Sequence, residues 1–354
     1  MITKNISQAS ELIRNGKLVS FPTETVYGLG ANIYNINAVQ NIFKTKGRPS
    51  TNPVIIHTYS LEKALELFDF SEKNNIKDTI MKIGFNFWPG PLTIVYKANP
   101  NISDIITASS GYVGVRIPNN ELALQFLKTA DVPIAAPSAN KSGHISPTDV
   151  KHVYDEFKDD EVTILDGGDI RLLNNGVGIE STIIKLDTNK ITILRSGGIS
   201  YDQINTFIRE EKLPFVLEEV KKMSNLKEGE IAPGQSITHY APKNIDTYMI
   251  KTSRLLSLKD FAKDHADIAI LDFGKYANIF SGRVAMYLDL SEEQKISQAM
   301  LNLYNYLRLI EDCKAVKKLY IITLTHNNNS ALNDRIVRAA SGKIVDLFYE
   351  KIEI

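Results

Sequence analysis

Two α/β domains are what this sequence predicts, a larger one built on a mixed sheet and a smaller one of alternating strands and helices. Three observations carry the prediction. The chain has 354 residues, too many for one ordinary hydrophobic core. Short apolar runs of strand length alternate with segments of helical spacing along its length. Glycine and proline are unevenly spread: residues 1–198 hold 15 of the 20 glycines and 10 of the 13 prolines. The first part is therefore rich in tight turns and the last is built of plainer elements, with a boundary expected near Gly197–Gly198.

In the first domain, residues 1–200, Leu18–Phe21 reads as a short apolar strand. Asn37–Lys46 has helical spacing, with Val39, Ile42 and Phe43 on one face. Further strands are expected at Pro53–His57, Leu92–Tyr96, Tyr112–Ile117, Pro133–Ala136, Val162–Leu165, Thr182–Leu186 and Ile191–Leu194. Helices are expected near 61–68, 74–86, 119–129 and 147–157. Strands fall in adjacent pairs late in this segment, so the sheet should not be purely parallel. Residues 201–244 read as a linker that opens with a short helix, Tyr201–Glu211, and ends in an aperiodic, proline-containing stretch. His239 and Tyr240 are unusual choices for a passive tether.

The last domain, 245–354, alternates regularly. Strands are expected at Asp246–Ile250, Ile268–Asp272, Val284–Leu288 and Leu319–Thr323. Helices are expected near Leu258–Asp264, Ser291–Cys313 and Asn333–Ala340. The long one should open with a capping box from Ser291 to Gln294 and bury Ile296, Met300, Leu303, Leu307 and Ile310.

Composition narrows the function classes. Hydrophobic content is 43% and charged content 23%, the balance of a globular protein. Lys+Arg and Asp+Glu are 41 each, which argues against a broad generic nucleic-acid surface. Cys313 is the sole cysteine, so no intrachain disulfide can form, a usage that fits a reducing cytoplasm. Residues 1–16 lack the long apolar core of a signal peptide, and no stretch approaches a membrane span. The six histidines show no metal-ligand spacing, so no protein-held metal site is expected. The phosphate loop, the dinucleotide fingerprint and the nucleophile elbow of hydrolases are all missing.

Polar clusters remain. In Phe21–Leu29 a strand runs into a loop bearing Thr23, Glu24, Thr25 and Tyr27. In Lys46–Pro53 a helix end is followed by a stiff loop with Arg48, Ser50 and Asn52. Such a loop could hold phosphate, or its cations could simply face a helix C-terminus. Arg116 stands inside an apolar strand, where it needs either a buried acid or an anionic substrate. In Ala136–Thr148 small residues leave room for a ligand, and Ser146 or Thr148 is placed to cap the next helix. Gly178–Thr182 and Leu194–Gly197 could close the site, with Arg195 at a strand end.

In order, PTETVYGLG (22–30), KGRPSTNP (46–53), VGVRIP (113–118), APSANKSGHISPT (136–148), GIEST (178–182), ILRSGG (193–198) and PGQSITHYAP (233–242) resemble the Sua5/YrdC family of threonylcarbamoyl-AMP synthases. The resemblance covers almost the whole chain, and the last motif with its following domain is similar to the long, Sua5-type form. It implies a twisted YrdC-like mixed-sheet domain with a large concave cleft, plus a smaller Rossmann-like domain. It also implies a nucleotidyltransferase that condenses L-threonine, bicarbonate and ATP, with Mg²⁺ carried by the ATP phosphates. The product would pass to downstream proteins that modify tRNA, with no stable nucleic-acid binding required of this chain.

By the same resemblance Thr25, His57, Arg116, Ala136 and Ser181 would hold threonine. Lys46, Arg48, Asn52, Ser138, Asn140, Ser146, Arg195 and Tyr240 would hold ATP, Lys46 and Arg48 also stabilising charge, with no covalent catalyst. Residues 233–242 would fold over the cleft as a lid. Tyr112 departs from the pattern, standing where a small hydroxyl residue near the ATP is expected.

Overall fold

A computed structural model describes residues 1–72, 75–220, 240–250, 265–274, 276–322 and 330–345. Contacts divide the chain into two compact units: Met1–Ser142 with Ser146–Gln235, and Gly143–Ile145 with Ser236–Ile354.

The first unit contains β1 (Ile2–Thr3), α1 (Ile6–Arg14), β2 (Leu18–Phe21), β3 (Gly28–Asn32), α2 (Ile36–Lys46), β4 (Ile55–His57), α3 (Leu61–Leu65) and α4 (Ile76–Phe87). It continues with β5 (Leu92–Lys97), α5 (Asp104–Thr107), β6 (Tyr112–Arg116), α6 (Glu121–Ala130), β7 (Ile134–Ala135), α7 (Val150–Phe157) and β8 (Val162–Leu165). After a short 3₁₀ turn come β9 (Thr182–Leu186), β10 (Lys190–Arg195), α8 (Tyr201–Glu210) and β11 (Val216–Glu219). The strands form one sheet in the order β1-β8-β2-β3-β7-β4-β6-β5-β9-β10-β11, parallel and antiparallel by turns, so the sheet is mixed as expected.

Strand alternation sends side chains to two faces. One face carries Leu29, Ala31, Ile56, Ile94, Val113, Val115, Ile184 and Ile193 into the main core, with Val39 and Ile42 of α2 and Ile80 and Ile83 of α4. On the other face, Val19, Phe21 and Ile134 pack under Ile13 of α1 and Phe126 and Leu127 of α6. Farther along that second face, Ile55, Val95, Ile183 and Leu194 form a smaller apolar group with Tyr112. His57 and Arg116 alternate onto the same face, opposite Ile56 and Val115, and are register partners on the parallel pair β4–β6.

Several sequence expectations are corrected. β3 was unforeseen because its Gly-Leu-Gly-Ala-Asn run lacks the branched residues that mark strands. α1 was unforeseen as well; its apolar residues bury on one side under an Asn5 cap that accepts from Gln8. Neither Ser146 nor Thr148 caps α7; Asp149 does, accepting from Lys151 N–H at 2.7 Å. Residues 201–219 are no linker: β11 pairs in parallel with β10, and α8 buries Ile204 and Phe207 in the main core, so the first unit continues past residue 200.

The second unit contains β12 (Asp246–Ile250), β13 (His265–Asp272), α9 (Ala277–Phe280), β14 (Val284–Asp289), α10 (Ile296–Asp312), β15 (Lys318–Ile322), α11 (Ser330–Ala339) and β16 (Ile344–Val345). Its strands run in the order β14-β13-β15-β12-β16, every pair parallel, a Rossmann-like layer. α10 buries Leu303, Leu307 and Ile310 as its spacing required, whereas Ile296 and Met300, expected on the same face, are only half-buried. It starts later than expected: Ser291 Oγ accepts from Lys295 N–H at 2.9 Å, and Gln294, at φ 56°, lies before the helix. The helix expected at Leu258–Asp264 and the residues 233–239 of the expected lid, His239 among them, lie outside the described residues.

Candidate active site

Three elements bring a buried polar group together in the first unit. The loop after β2 delivers Glu24 and Thr25, β4 ends in His57, and β6 ends in Arg116. Thr23 shapes the loop: its Oγ1 donates to Val26 O at 2.7 Å and accepts from the amides of Thr25 and Val26. Such a hydroxyl turn satisfies backbone that leaves the sheet. Its Oγ1 also lies 2.8 Å from Thr25 Oγ1.

Arg116 is 4% exposed, so its charge demands partners. Nε donates to Gly90 O at 3.2 Å and Nη1 to Thr25 Oγ1 at 2.9 Å. Nη2 lies 2.8 Å from Glu24 Oε2. Of the two alternatives the sequence left for this arginine, the buried acid is therefore present. The pair is close but poorly aligned. Neither Glu24 carboxylate oxygen receives a hydrogen bond, Arg116 Nη2 makes none, and His57 Nδ1 also has none. Buried polar atoms seldom lack partners, and each such atom costs about 1–3 kcal/mol. Four such atoms lie together here, on Glu24, Arg116 and His57. Burial, then the Arg116 charge, lowers the His57 pKa to about 3, so its ring is neutral near pH 7.

The phosphate-type loop follows α2. Asn35 caps that helix, accepting from Ala38 N–H at 3.0 Å. Gly47 ends it at φ 62°, a left-handed turn that glycine adopts without strain. Arg48 is then held by Asn52, donating to Asn52 Oδ1 at 2.5 Å and to Pro53 O at 2.8 Å. Lys46 is 3% exposed and donates to the carbonyls of Ser138, at 2.6 Å, and Asn140. It thereby ties the end of α2 to the 138–140 loop. Burial, then the neighbouring Arg48 charge, pulls its ammonium well below the usual lysine range.

The 136–140 loop is pinned by backbone bonds as well, from Ala136 N–H to Ile55 O, Leu29 N–H to Pro137 O and Ala139 N–H to Tyr27 O. A third group surrounds Ser181. Its Oγ lies 2.8 Å from Thr93 Oγ1, and Arg195 donates to the Ser181 carbonyl at 2.9 and 3.1 Å. Ser146 donates to Glu180 Oε1 at 2.7 Å. Tyr240 belongs to the second unit, where its ring is buried and stacks on Tyr304 with centroids 5.0 Å apart. Tyr112 fills the apolar end of the sheet's second face, with Lys185 Nζ 4.2 Å from its ring centre.

The structure thus joins the expected residues into linked sets: Thr25–Arg116–His57, Lys46–Ser138–Asn140, Arg48–Asn52 and Ser181–Arg195. Three polar residues of the site were not singled out from the sequence. Glu24 stood in a noted motif, and the need of Arg116 for a buried acid was the signal that could have selected it. Glu180 and Thr93 carried no such signal, since only tertiary pairing engages them.

Residues 11–197 match the Sua5_yciO_yrdC family model, described as "Telomere recombination". Residues 199–341 match the model described as "Threonylcarbamoyl-AMP synthase, C-terminal domain". A Bacillus subtilis threonylcarbamoyl-AMP synthase is 32% identical over 346 residues, 96% of this chain and 94% of that protein. The Pyrococcus abyssi enzyme of that name is 43% identical over 235 residues, 66% of this chain and 64% of its own length, just under two thirds of it. The crystal structure of P. abyssi Sua5 complexed with L-threonine matches with a TM-score of 0.80 at 31% identity, over 97% of this chain and 96% of that one. With both family models matched in sequence order and a full-length relative above 30% identity, the chain belongs to the Sua5/YrdC family of threonylcarbamoyl-AMP synthases, in its long, Sua5-type form.

Proposed function

We propose that this protein condenses L-threonine and bicarbonate, with loss of water, and couples the resulting N-carboxy-threonine to ATP, giving threonylcarbamoyl-AMP and pyrophosphate. The observation that carries this reading is the buried Glu24–Arg116–His57 group with its unmet hydrogen-bonding capacity, beside Thr25. Arg116 offers a guanidinium edge for the threonine carboxylate, and Thr25, neutral His57 and Ser181 offer groups for the rest of the amino acid. A relative 31% identical has been crystallised with L-threonine, which supports the assignment.

Lys46, Arg48, Asn52, Ser138, Asn140, Ser146 and Arg195 are the proposed ATP contacts. The carbamate oxygen forms a bond to the α-phosphorus while the bond to pyrophosphate breaks. Such an in-line displacement needs positioning and charge neutralisation more than a protein nucleophile. Lys46 and Arg48 supply positive charge on a loop tied down by its own hydrogen bonds. The phosphates of ATP would draw the Lys46 ammonium back toward its charged form. Mg²⁺ enters with the nucleotide, as MgATP held through phosphate oxygens. The acids of this site do not form a cage for it, since Glu24 faces Arg116 and Glu180 accepts from Ser146. The adenylate would then serve partner proteins that modify tRNA.

The test is mass spectrometry of a reaction containing ATP, L-threonine, bicarbonate and Mg²⁺. A threonylcarbamoyl-AMP mass that disappears when any one of the first three is omitted is the expected result. ATP turnover without any need for threonine would overturn the assignment.

A further inference from the structure

We propose that Glu24 is the residue that receives the α-amino group of the amino-acid substrate, and so sets selection for amino acids over their deaminated analogues. The inference rests on the threonine reading above and assigns a role to a residue that reading did not use.

Glu24 is 1% exposed, and its carboxylate receives no hydrogen bond at either oxygen. Its charge is balanced by Arg116 Nη2 at 2.8 Å, yet that nitrogen is itself without an aligned acceptor. The remaining guanidinium nitrogens are occupied, Nε by Gly90 O and Nη1 by Thr25 Oγ1. An anionic ligand alone would satisfy Arg116 Nη2, but it would leave both Glu24 oxygens without a hydrogen-bond donor and set a second negative charge beside them. A ligand with an ammonium alone would serve Glu24 and leave Arg116 short.

A zwitterion completes both. Its carboxylate accepts from Nη2, its ammonium donates to Glu24, and the existing +1/−1 balance of the pair is preserved. His57 Nδ1 stays available for a neutral partner such as a hydroxyl. The chemistry of the unmet atoms thus selects an α-amino acid. Lacking the three N–H donors of the ammonium, the corresponding 3-hydroxy acid would leave a buried carboxylate unpaired, the situation sites discriminate against most strongly.

Isothermal titration calorimetry on the full chain tests this with L-threonine and with 3-hydroxybutanoate, its analogue lacking the α-amine. The wild-type protein should bind threonine at least about 100-fold more tightly. Glu24→Gln keeps the shape of the side chain and removes its charge. It should weaken threonine by about 10- to 100-fold, leave 3-hydroxybutanoate as tightly bound or tighter, and leave the affinity for ATP unchanged. Equal losses for both ligands would show that Glu24 acts only by holding Arg116, and would overturn the proposal. So would a wild-type protein that binds both ligands equally, a measurement that needs no variant should Glu24→Gln fail to fold by circular dichroism. Absence of threonine binding in the wild type, with intact ATP binding, would instead sink the functional reading on which the proposal stands.

Discussion

At the scale of single residues, the centre of the site is a pair of opposite charges removed from water, Glu24 and Arg116. Removing one member leaves the other buried and alone. Arg116→Ala should therefore destabilise the fold by about 3–5 kcal/mol, read from urea unfolding, besides abolishing threonine binding. Arg48→Ala differs, because Arg48 is only half-buried and bonds to neutral partners of its own loop. Its expected effect is a raised KM for ATP with the threonine KM nearly unchanged, which steady-state kinetics would check. His57 couples stability to pH. Its folded pKa, about 3, lies below the ordinary 6.5, so the unfolded chain takes up the proton first as pH falls. The contribution is full above pH 6.5 and is lost between 6.5 and about 3, at up to about 1.4 kcal/mol per pH unit. His57→Gln should flatten that acid limb in unfolding curves taken across the window, and an unchanged limb would count against the buried neutral ring.

At the scale of elements, the functional loops are positioned by what ends or abuts a strand or helix. Gly197 is an example. A Cβ there would run into the backbone of residues 180–182, 2.3 Å from Glu180 O and 2.4 Å from Thr182 N. The turn after β10 therefore passes directly against the strand start that carries Ser181, and only glycine fits. Gly197→Ala should shift that segment and destabilise the protein by about 1–3 kcal/mol, with a visible loss in thermal unfolding temperature. Elements also show where sequence reading succeeds. Strands such as β2, β5, β8 and β9 were legible because apolar, often branched runs are bounded by turn residues. β3 was not, since close packing at Gly28 and Gly30 replaces strand propensity there. β11 was not, because a strand at a sheet edge is recognised by its partner β10 and not by its own composition.

At the scale of the whole molecule, the chain is two units with separate cores. The buried residues of the two large apolar clusters of the first unit all lie between Ala9 and Leu217. A fragment 1–235 should consequently fold on its own and unfold in one cooperative transition, as followed by circular dichroism. A non-cooperative, molten fragment would show that the unit depends on the rest of the chain.

The sequence by itself determined the α/β class, the mixed first sheet, the alternating second domain and the identity of the family, because periodicity, turn residues and ordered motifs are local properties. It also placed the residues that carry charge, at Lys46, Arg48, Arg116 and Arg195. What only the tertiary structure decided is how those charges are balanced. Glu24 meets Arg116 across 92 positions of chain, Lys46 is tied to carbonyls of a loop that follows β7, and Arg195 donates to the Ser181 carbonyl. Local sequence cannot encode such pairings, since burial and partner choice arise only when distant strands align in one sheet.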